Sequence, residues 1–191
     1  RTTPRFEDDY FGPVLVIGEV AAETFEKFLF SGSDALIANR DTLQSGNQQS
    51  VYYNRSSNNL QSKMGKPVLS KDLTVTAEPF LQEYLGNKLL GSFNVDAEAV
   101  IPPDTLVLIE KGVLKTLLNG RTPSRDVPNS NGHMRMQYSM GGLNKTVGPG
   151  VIRIHSDTGM EIEDLKKELM DQAQELGLDY AIMIKSLDVG G

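Results

Sequence analysis

The chain has 191 residues, of which 39% are hydrophobic and 23% charged, and its net charge is −6 at pH 7. This is the composition of a soluble globular protein, and an acidic chain lacks the basic face that nucleic acids or anionic membranes require, which excludes both as general partners. No apolar run approaches the ~20 residues of a membrane span. The absence of cysteine excludes disulfides and thiolate metal sites and fits a reducing compartment, so we expect a cytoplasmic protein.

The first predicted elements are a buried strand over 12–18 and a helix over 19–30, because β-branched apolar residues between glycines give way to apolar residues at helical spacing. Residues 71–79 alternate apolar and polar side chains and predict a half-buried strand. Two apolar runs over 105–118 flank a Glu-Lys-Gly turn, which predicts a hairpin in which Gly112 adopts a positive φ.

The second half of the chain is predicted to contain a long loop over 119–150, rich in glycine and proline, then a strand over 151–156, a helix over 160–177 and a strand over 179–187. A hairpin with interspersed helices favours an α+β fold with a mainly antiparallel sheet and a few packed helices. We expect residues 1–191 to form a single α+β domain that is a fragment of a longer protein, because the chain begins without methionine and stops just after an apolar strand.

Two glutamates on the predicted first helix raise the question of a metal or acid–base site. Glu19 and Glu23 are four residues apart, so they share one helix face and offer oxygen ligands to one cation. The alternative is a solvated surface on which Glu23 pairs with Lys27, and such surface pairs are far commoner than ligands. A zinc peptidase helix carries histidines, whereas the two in this chain, His133 and His155, lie on the loop and in a strand. The pattern therefore predicts no metal site.

The long loop carries the other candidate site. Guanidinium and amide donors among turn residues are able to hold the backbone or the carboxylates of an extended peptide. The candidate peptide-binding residues are Arg121, Arg125, Asn131, Gly132, His133 and Arg135. The alternative is an ordinary solvated surface loop. Asp96 and Glu98 would share a face if they lay in a strand, but their spacing does not favour a catalytic pair.

Several segments, in this order, resemble the TldD/PmbA family of peptide-maturation and regulated proteolysis proteins, also called modulators of DNA gyrase. These are "GPVLVIGEVAAETF", the stretch from "LTVTAEPF" through "GSFNVDAEAV" and "LIEKGVLK" to "NGRTPSRD", and "NSNGHMR". They are similar to the family's strand and helix, its "GS-x-x-x-D-x-EG" core with the following hairpin and arginine-bearing loop, and its "sTGNarR" loop. Ala99 stands where the family usually has glycine.

The resemblance implies one of two branches. The TldD-type branch carries zinc on H-E-x-x-x-H, with a cysteine as a third ligand, whereas the PmbA-type branch lacks these ligands and pairs with the other around a chamber for unfolded peptides. Here "GEVAAE" occupies that position, so Gly18 and Glu23 replace the two histidines and Glu19 is the only match. The chain therefore resembles the PmbA-like branch in its carboxy-terminal region, with the amino-terminal domain missing.

From this resemblance we expect the non-metal subunit or domain of a peptide-processing protease, with no cofactor in this chain and zinc in a partner subunit. The expected partners are a TldD/PmbA-type chain, in a homo- or hetero-dimer, and extended or unfolded peptides, bound by strand addition along an exposed edge. Two alternatives stay open. The chain is an active metallopeptidase with atypical ligands such as Glu19 and Glu23, or it is a non-enzymatic protein-interaction domain.

Overall fold

The computed structural model describes residues 9–31, 35–38, 60–139 and 142–186. Contacts group the chain into two compact units, residues 1–25 with 159–191 and residues 26–158. That residues 1–191 form a single domain of a longer chain stays a prediction.

The first unit combines a parallel strand pair with helical segments from both parts of the chain. Strand β1, Val14–Val16, pairs in parallel with β10, Ile182–Ile184. Helix α1, Glu19–Phe30, begins here, and α2 spans Ile162–Glu175 with acidic residues in its first turn, which favours that end of the helix dipole. Gly177 follows α2 with a φ of 74°. The strands predicted over 12–18 and 179–187 and the helix predicted over 160–177 are present but shorter, and residue 187 lies outside the described residues.

The second unit is built on a four-stranded antiparallel sheet in the order β6-β5-β2-β9. Its strands are β2 Leu73–Ala77, β5 Leu106–Glu110, β6 Val113–Leu114 and β9 Ile152–Ser156. The predicted hairpin is confirmed as β5 and β6, and the turn between them has positive φ values at Lys111 and Gly112. A small separate hairpin pairs β3, Glu83–Tyr84, with β4, Asn87–Lys88.

Burial is concentrated on the central strands and on the segment that leaves β6. Fully buried apolar side chains in this unit include Val75, Ala77, Leu108, Ile109, Leu114, Leu117 and Leu118. The backbone of Leu118 is held on both sides, because its N–H donates to Leu36 and its carbonyl accepts from Ala38. The chain therefore leaves the sheet in a fixed position just before the candidate site.

The prediction of a continuous loop over 119–150 is wrong in its second half. Strands β7, Met134–Ser139, and β8, Gly142–Val147, pair in antiparallel register as a two-stranded ribbon. The sequence does not predict this ribbon, because its exposed apolar side chains do not produce the pattern by which half-buried strands are identified. The glycines on either side of it also indicate a loop. Residues 140 and 141 lie outside the described residues.

The α+β fold class is confirmed, since the described residues form two α-helices and sheets that are antiparallel apart from the β1–β10 pair. Within the part of the chain that the structure describes, neither helix has the length and apolarity needed to cross a bilayer.

Candidate functional site

Five of the six candidate peptide-binding residues lie on a loop between β6 and β7 that is closed by Asn119, and the sixth, Arg135, lies on β7. The buried Asn119 side-chain amide donates to the carbonyl of Val127 at 2.8 Å and to that of Asn129 at 3.2 Å. Its backbone carbonyl also accepts from the N–H groups of Asn131, at 3.4 Å, and His133, at 3.3 Å. Asn119 thus fixes the loop at Val127 and Asn129, and again at its end, at Asn131 and His133.

Asn131 completes this closure from the opposite side. Its Oδ1 accepts from the backbone N–H of Asn119 at 2.7 Å, and its Nδ2 donates to the carbonyl of Leu117 at 2.8 Å. Gly132 follows with a φ of 75°, and a Cβ at that position would lie 2.8 Å from both Cα and N of Pro102. The Asn131 and Gly132 positions are therefore structural, because amide and backbone are both committed within the loop.

His133 is fully buried, and only one of its two ring nitrogens has a hydrogen-bond partner among the described residues. Nδ1 lies 2.8 Å from the carbonyl of Asn131, which assigns the ring proton to Nδ1, whereas Nε2 has no hydrogen-bond partner within the described residues. The rings of Phe93 and His133 are nearly perpendicular, with their centroids 5.9 Å apart. Burial lowers the pKa of His133, and nearby Arg135 lowers it further, while the Asn131 hydrogen bond and Asp96 act in the opposite direction. The ring is therefore neutral at pH 7.

Asp96 organises the turn that supports the start of β7. Its Oδ1 accepts from the N–H groups of Glu98, at 2.8 Å, and Val100, at 2.9 Å, and its Oδ2 accepts from Met134 at 3.1 Å. Asp96 and Glu98 thus lie in a turn and not in a strand, and the buried Asp96 carboxylate is occupied by backbone donors. This commitment favours a structural over a catalytic role for Asp96.

The same turn holds Ala99 at a φ of 57°, a left-handed conformation that disfavours a side chain with a Cβ. We expect Ala99→Gly to raise the free energy of unfolding by about 0.5–1 kcal/mol, because relief of the left-handed strain outweighs the extra entropy of glycine in the unfolded chain. Urea unfolding of the two proteins measures the difference. A lower stability of the variant would contradict a strained turn.

The three arginines of the candidate site have different environments. Arg121 and Arg125 are exposed, and the backbone N–H of Arg121 donates to Glu98 Oε2 at 2.6 Å. The Arg135 guanidinium lies 4.0 Å from the ring centre of Phe93, a cation–π geometry, and burial lowers its pKa. Within the described residues none of the three forms an ion pair, so their charges are available to a ligand.

Of the predicted site residues, the structure therefore leaves three arginines open to a ligand and commits Asn131, Gly132 and His133 to the loop itself. Peptide binding by these six residues stays a prediction. Sequence reasoning missed Asn119 and Phe93, and it treated Asp96 only as a catalytic candidate. A signal for the Asp96 turn was present, because aspartate commonly accepts hydrogen bonds from backbone N–H groups that follow it.

The position where the TldD-type motif would place zinc does not fit that metal. Gly18 has no side-chain donor and a φ of 67°, and the carboxylates of Glu19 and Glu23 are exposed on α1. The described residues include no group of three or more histidine, cysteine, aspartate or glutamate side chains that could hold a metal ion. Since zinc sites are built on neutral imidazoles and thiolates with few carboxylates, this donor set is unsuited to zinc.

Comparison with known proteins gives one family and several solved structures. Residues 13–176 match the family model described as the PmbA/TldA metallopeptidase C-terminal domain. No curated protein sequence matches the chain.

Two solved structures illustrate the similarity. A protein of Thermotoga maritima, named as a candidate modulator of a DNA gyrase, is 22% identical with a TM-score of 0.58 over 93% of this chain and 32% of its own, which shows a shared fold. TldE of Thermococcus kodakarensis is 19% identical with a TM-score of 0.48 over 83% of this chain and 29% of its own. The chain thus spans about a third or less of the length of these proteins.

Proposed function

The chain belongs to the PmbA/TldD family, as part of its C-terminal domain, and on this premise we propose that it is the non-metal, peptide-holding part of a peptide-processing protein. In this proposal the longer protein pairs with a TldD/PmbA-type chain that carries the zinc. The partner supplies the hydrolytic metal, and this chain holds extended peptides for cleavage.

The donor set on α1 supports the non-metal assignment. A glycine and two exposed glutamates occupy the H-E-x-x-x-H position, and the two histidines of the chain are placed elsewhere. His133 is buried in the loop, and His155 lies on β9. Neutral imidazole ligands, which a catalytic zinc site needs, are thus missing where the family motif would require them.

The observation that carries the peptide-holding role is the pair of exposed, unpaired arginines on a closed loop. Arg121 and Arg125 lie on a segment that Asn119 and Asn131 fix by hydrogen bonds of 2.7 to 3.2 Å. Guanidinium groups on a fixed loop bind carboxylates and carbonyls with little loss of backbone entropy. Among the described residues, β9 and the β7–β8 ribbon have strand edges without a neighbouring strand, and such edges offer main-chain hydrogen bonds that do not depend on the peptide's sequence.

The test is capture of an unstructured peptide of mixed sequence with a free terminal carboxylate. We expect the double variant Arg121→Gln/Arg125→Gln to bind it about five- to tenfold more weakly, since two charge-assisted contacts are lost, with an unchanged melting temperature. A matched control, Lys66→Gln/Lys71→Gln, removes two exposed charges from elsewhere in the same unit and should bind normally. If both double variants bound the peptide with equal affinity, Arg121 and Arg125 would have no role in peptide binding.

Zinc content of the full-length protein, purified without chelators, distinguishes the alternatives. We expect close to no zinc in the protein alone and close to one zinc per complex with its partner. One zinc per chain in the isolated protein would overturn the non-metal role and lead back to Glu19 and Glu23 as ligands. Partner binding without any effect on peptide turnover would instead indicate an interaction domain.

A further inference from the structure

The β7–β8 ribbon is a basic element of an acidic chain. The chain contains 25 aspartate and glutamate residues, yet none of them lies in residues 127–156. The ribbon itself contains two charged side chains, Arg135 and Lys145. Its charge is thus opposite to that of the chain as a whole, which favours an acidic ligand for this element.

The outer edge of β7 has open backbone groups. The N–H of Met134 donates to Asp96 Oδ2 at 3.1 Å and its carbonyl accepts from Ala97 at 2.8 Å, so both groups point away from β8. The carbonyl of His133, one residue earlier, accepts from Gly148 on the β8 side at 3.1 Å. Because these directions alternate along an antiparallel strand, Met136 and Tyr138 also direct their backbone groups outward. The described residues offer those groups no partner.

The ribbon's side chains divide into a mainly apolar face, which also carries Lys145, and a polar face. Met136 lies opposite Lys145 and Tyr138 opposite Leu143. Met136, Tyr138 and Leu143 are 50%, 83% and 62% exposed. The other face carries Arg135 and Gln137 on β7. A strand added beside β7 would therefore place alternate side chains next to Met136 and Tyr138, and the intervening ones next to Arg135 and Gln137.

Arg121 follows a residue that lies at the base of the ribbon. Gly120 packs against the side chain of Met134, and its Cβ position would be 3.6 Å from Cγ2 of Val147, at the base of both strands. Arg121 follows directly and is exposed. Arg135 is held over Phe93 and has no carboxylate within 4.0 Å among the described residues. Arg135 therefore gives β7 an unpaired positive charge beside its open edge.

We propose that the outer edge of β7 binds an extended peptide as a third strand and selects peptides with acidic residues at alternate positions and apolar residues between them. This inference rests on the proposed peptide-holding function and adds to it a binding edge and a substrate class. Main-chain bonds to Met136 and Tyr138 supply the strand pairing, and Arg135 supplies the preference for carboxylates.

The test uses the full chain and three capped hexapeptides in which valine and threonine alternate with glutamate, glutamine or lysine. We expect the glutamate peptide to bind about tenfold more tightly than the glutamine peptide at low salt, and the lysine peptide to bind weakest. Met136→Pro removes an outward N–H of β7 and should abolish binding, whereas the matched variant Leu143→Pro, which removes an outward N–H on the β8 edge, should leave it intact. Arg135→Gln should lower the preference for glutamate over glutamine about threefold.

The outcomes separate the inference from the function on which it rests. If none of these peptides and no peptide of mixed sequence binds, the peptide-holding function itself fails. If peptides bind but Met136→Pro and Leu143→Pro behave alike, or glutamate gives no preference, the β7 edge is overturned while the function stands. Concentration-dependent self-association that Met136→Pro abolishes, without peptide binding, would assign the edge to a second copy of the chain and overturn the inference. Circular dichroism of each variant verifies that the fold is kept.

Discussion

Asp96→Ala is expected to lower the free energy of unfolding by about 3–5 kcal/mol, one of the two largest effects that we predict. The substitution leaves three backbone N–H groups, those of Glu98, Val100 and Met134, without their acceptor. An unsatisfied buried donor costs about 1–3 kcal/mol, and the donor on Met134 lies at the start of β7. Denaturant unfolding followed by circular dichroism measures the loss.

Two further variants make this measurement specific. Asp104 is exposed, so Asp104→Ala should change the stability by less than about 0.5 kcal/mol. Asp96→Asn keeps one oxygen for Glu98 and Val100 but presents an amide to Met134, and we expect a loss of about 1–2 kcal/mol. An Asp96→Ala protein as stable as the Asp104→Ala control would contradict the supporting role of the buried carboxylate.

Gly132→Ala is expected to lower the free energy of unfolding by about 2–4 kcal/mol. The φ of 75° disfavours any residue with a Cβ by about 1–2 kcal/mol, and the added methyl group would lie 2.8 Å from backbone atoms of Pro102. Relief of that contact requires movement of the backbone, which adds about 1–3 kcal/mol. Thermal or denaturant unfolding of the variant gives the value.

Gly86 provides a matched control for this position. It has a φ of 80°, but no atom of the described residues lies within 4 Å of its Cβ position. Gly86→Ala should therefore lower the free energy of unfolding by about 1 kcal/mol, which is the cost of placing alanine in the left-handed conformation. The difference between the two variants measures the contact with Pro102, and equal losses would mean that the loop accommodates the methyl group freely.

The sequence was sufficient for those parts of the fold that depend on local patterns. The Glu-Lys-Gly turn predicted the β5–β6 hairpin and the positive φ of Gly112, because that geometry needs a residue without a Cβ. The acidic first turn and Gly177 predicted α2. The family resemblance is also confirmed by the match over residues 13–176. The turn and the helix ends are encoded within a few neighbouring residues, whereas the resemblance depends on several segments in a fixed order.

The candidate site was less predictable because its contacts join residues far apart in sequence. Asp96 supports Met134 across 38 positions, and Asn119 closes a loop that ends at Asn131. No periodicity reveals such pairs. His133 was predicted as a peptide-binding residue, yet its ring is buried and its Nδ1 is used within the loop. Histidine occurs both exposed and buried, so its type alone does not distinguish a ligand from a packed side chain.

The parallel pairing of β1 with β10 fixes the order in which the two units are completed during synthesis. Val14 is translated long before its partner Ile182, and all strands of the β6-β5-β2-β9 sheet lie between them. That sheet is therefore able to form before β10 of the first unit has been synthesised. Among the described residues, β10 is the strand that pairs with β1. A chain released by a ribosome that stalls before Ile182 would therefore contain the folded β6-β5-β2-β9 sheet and an unpaired β1. Such an unpaired strand edge favours aggregation.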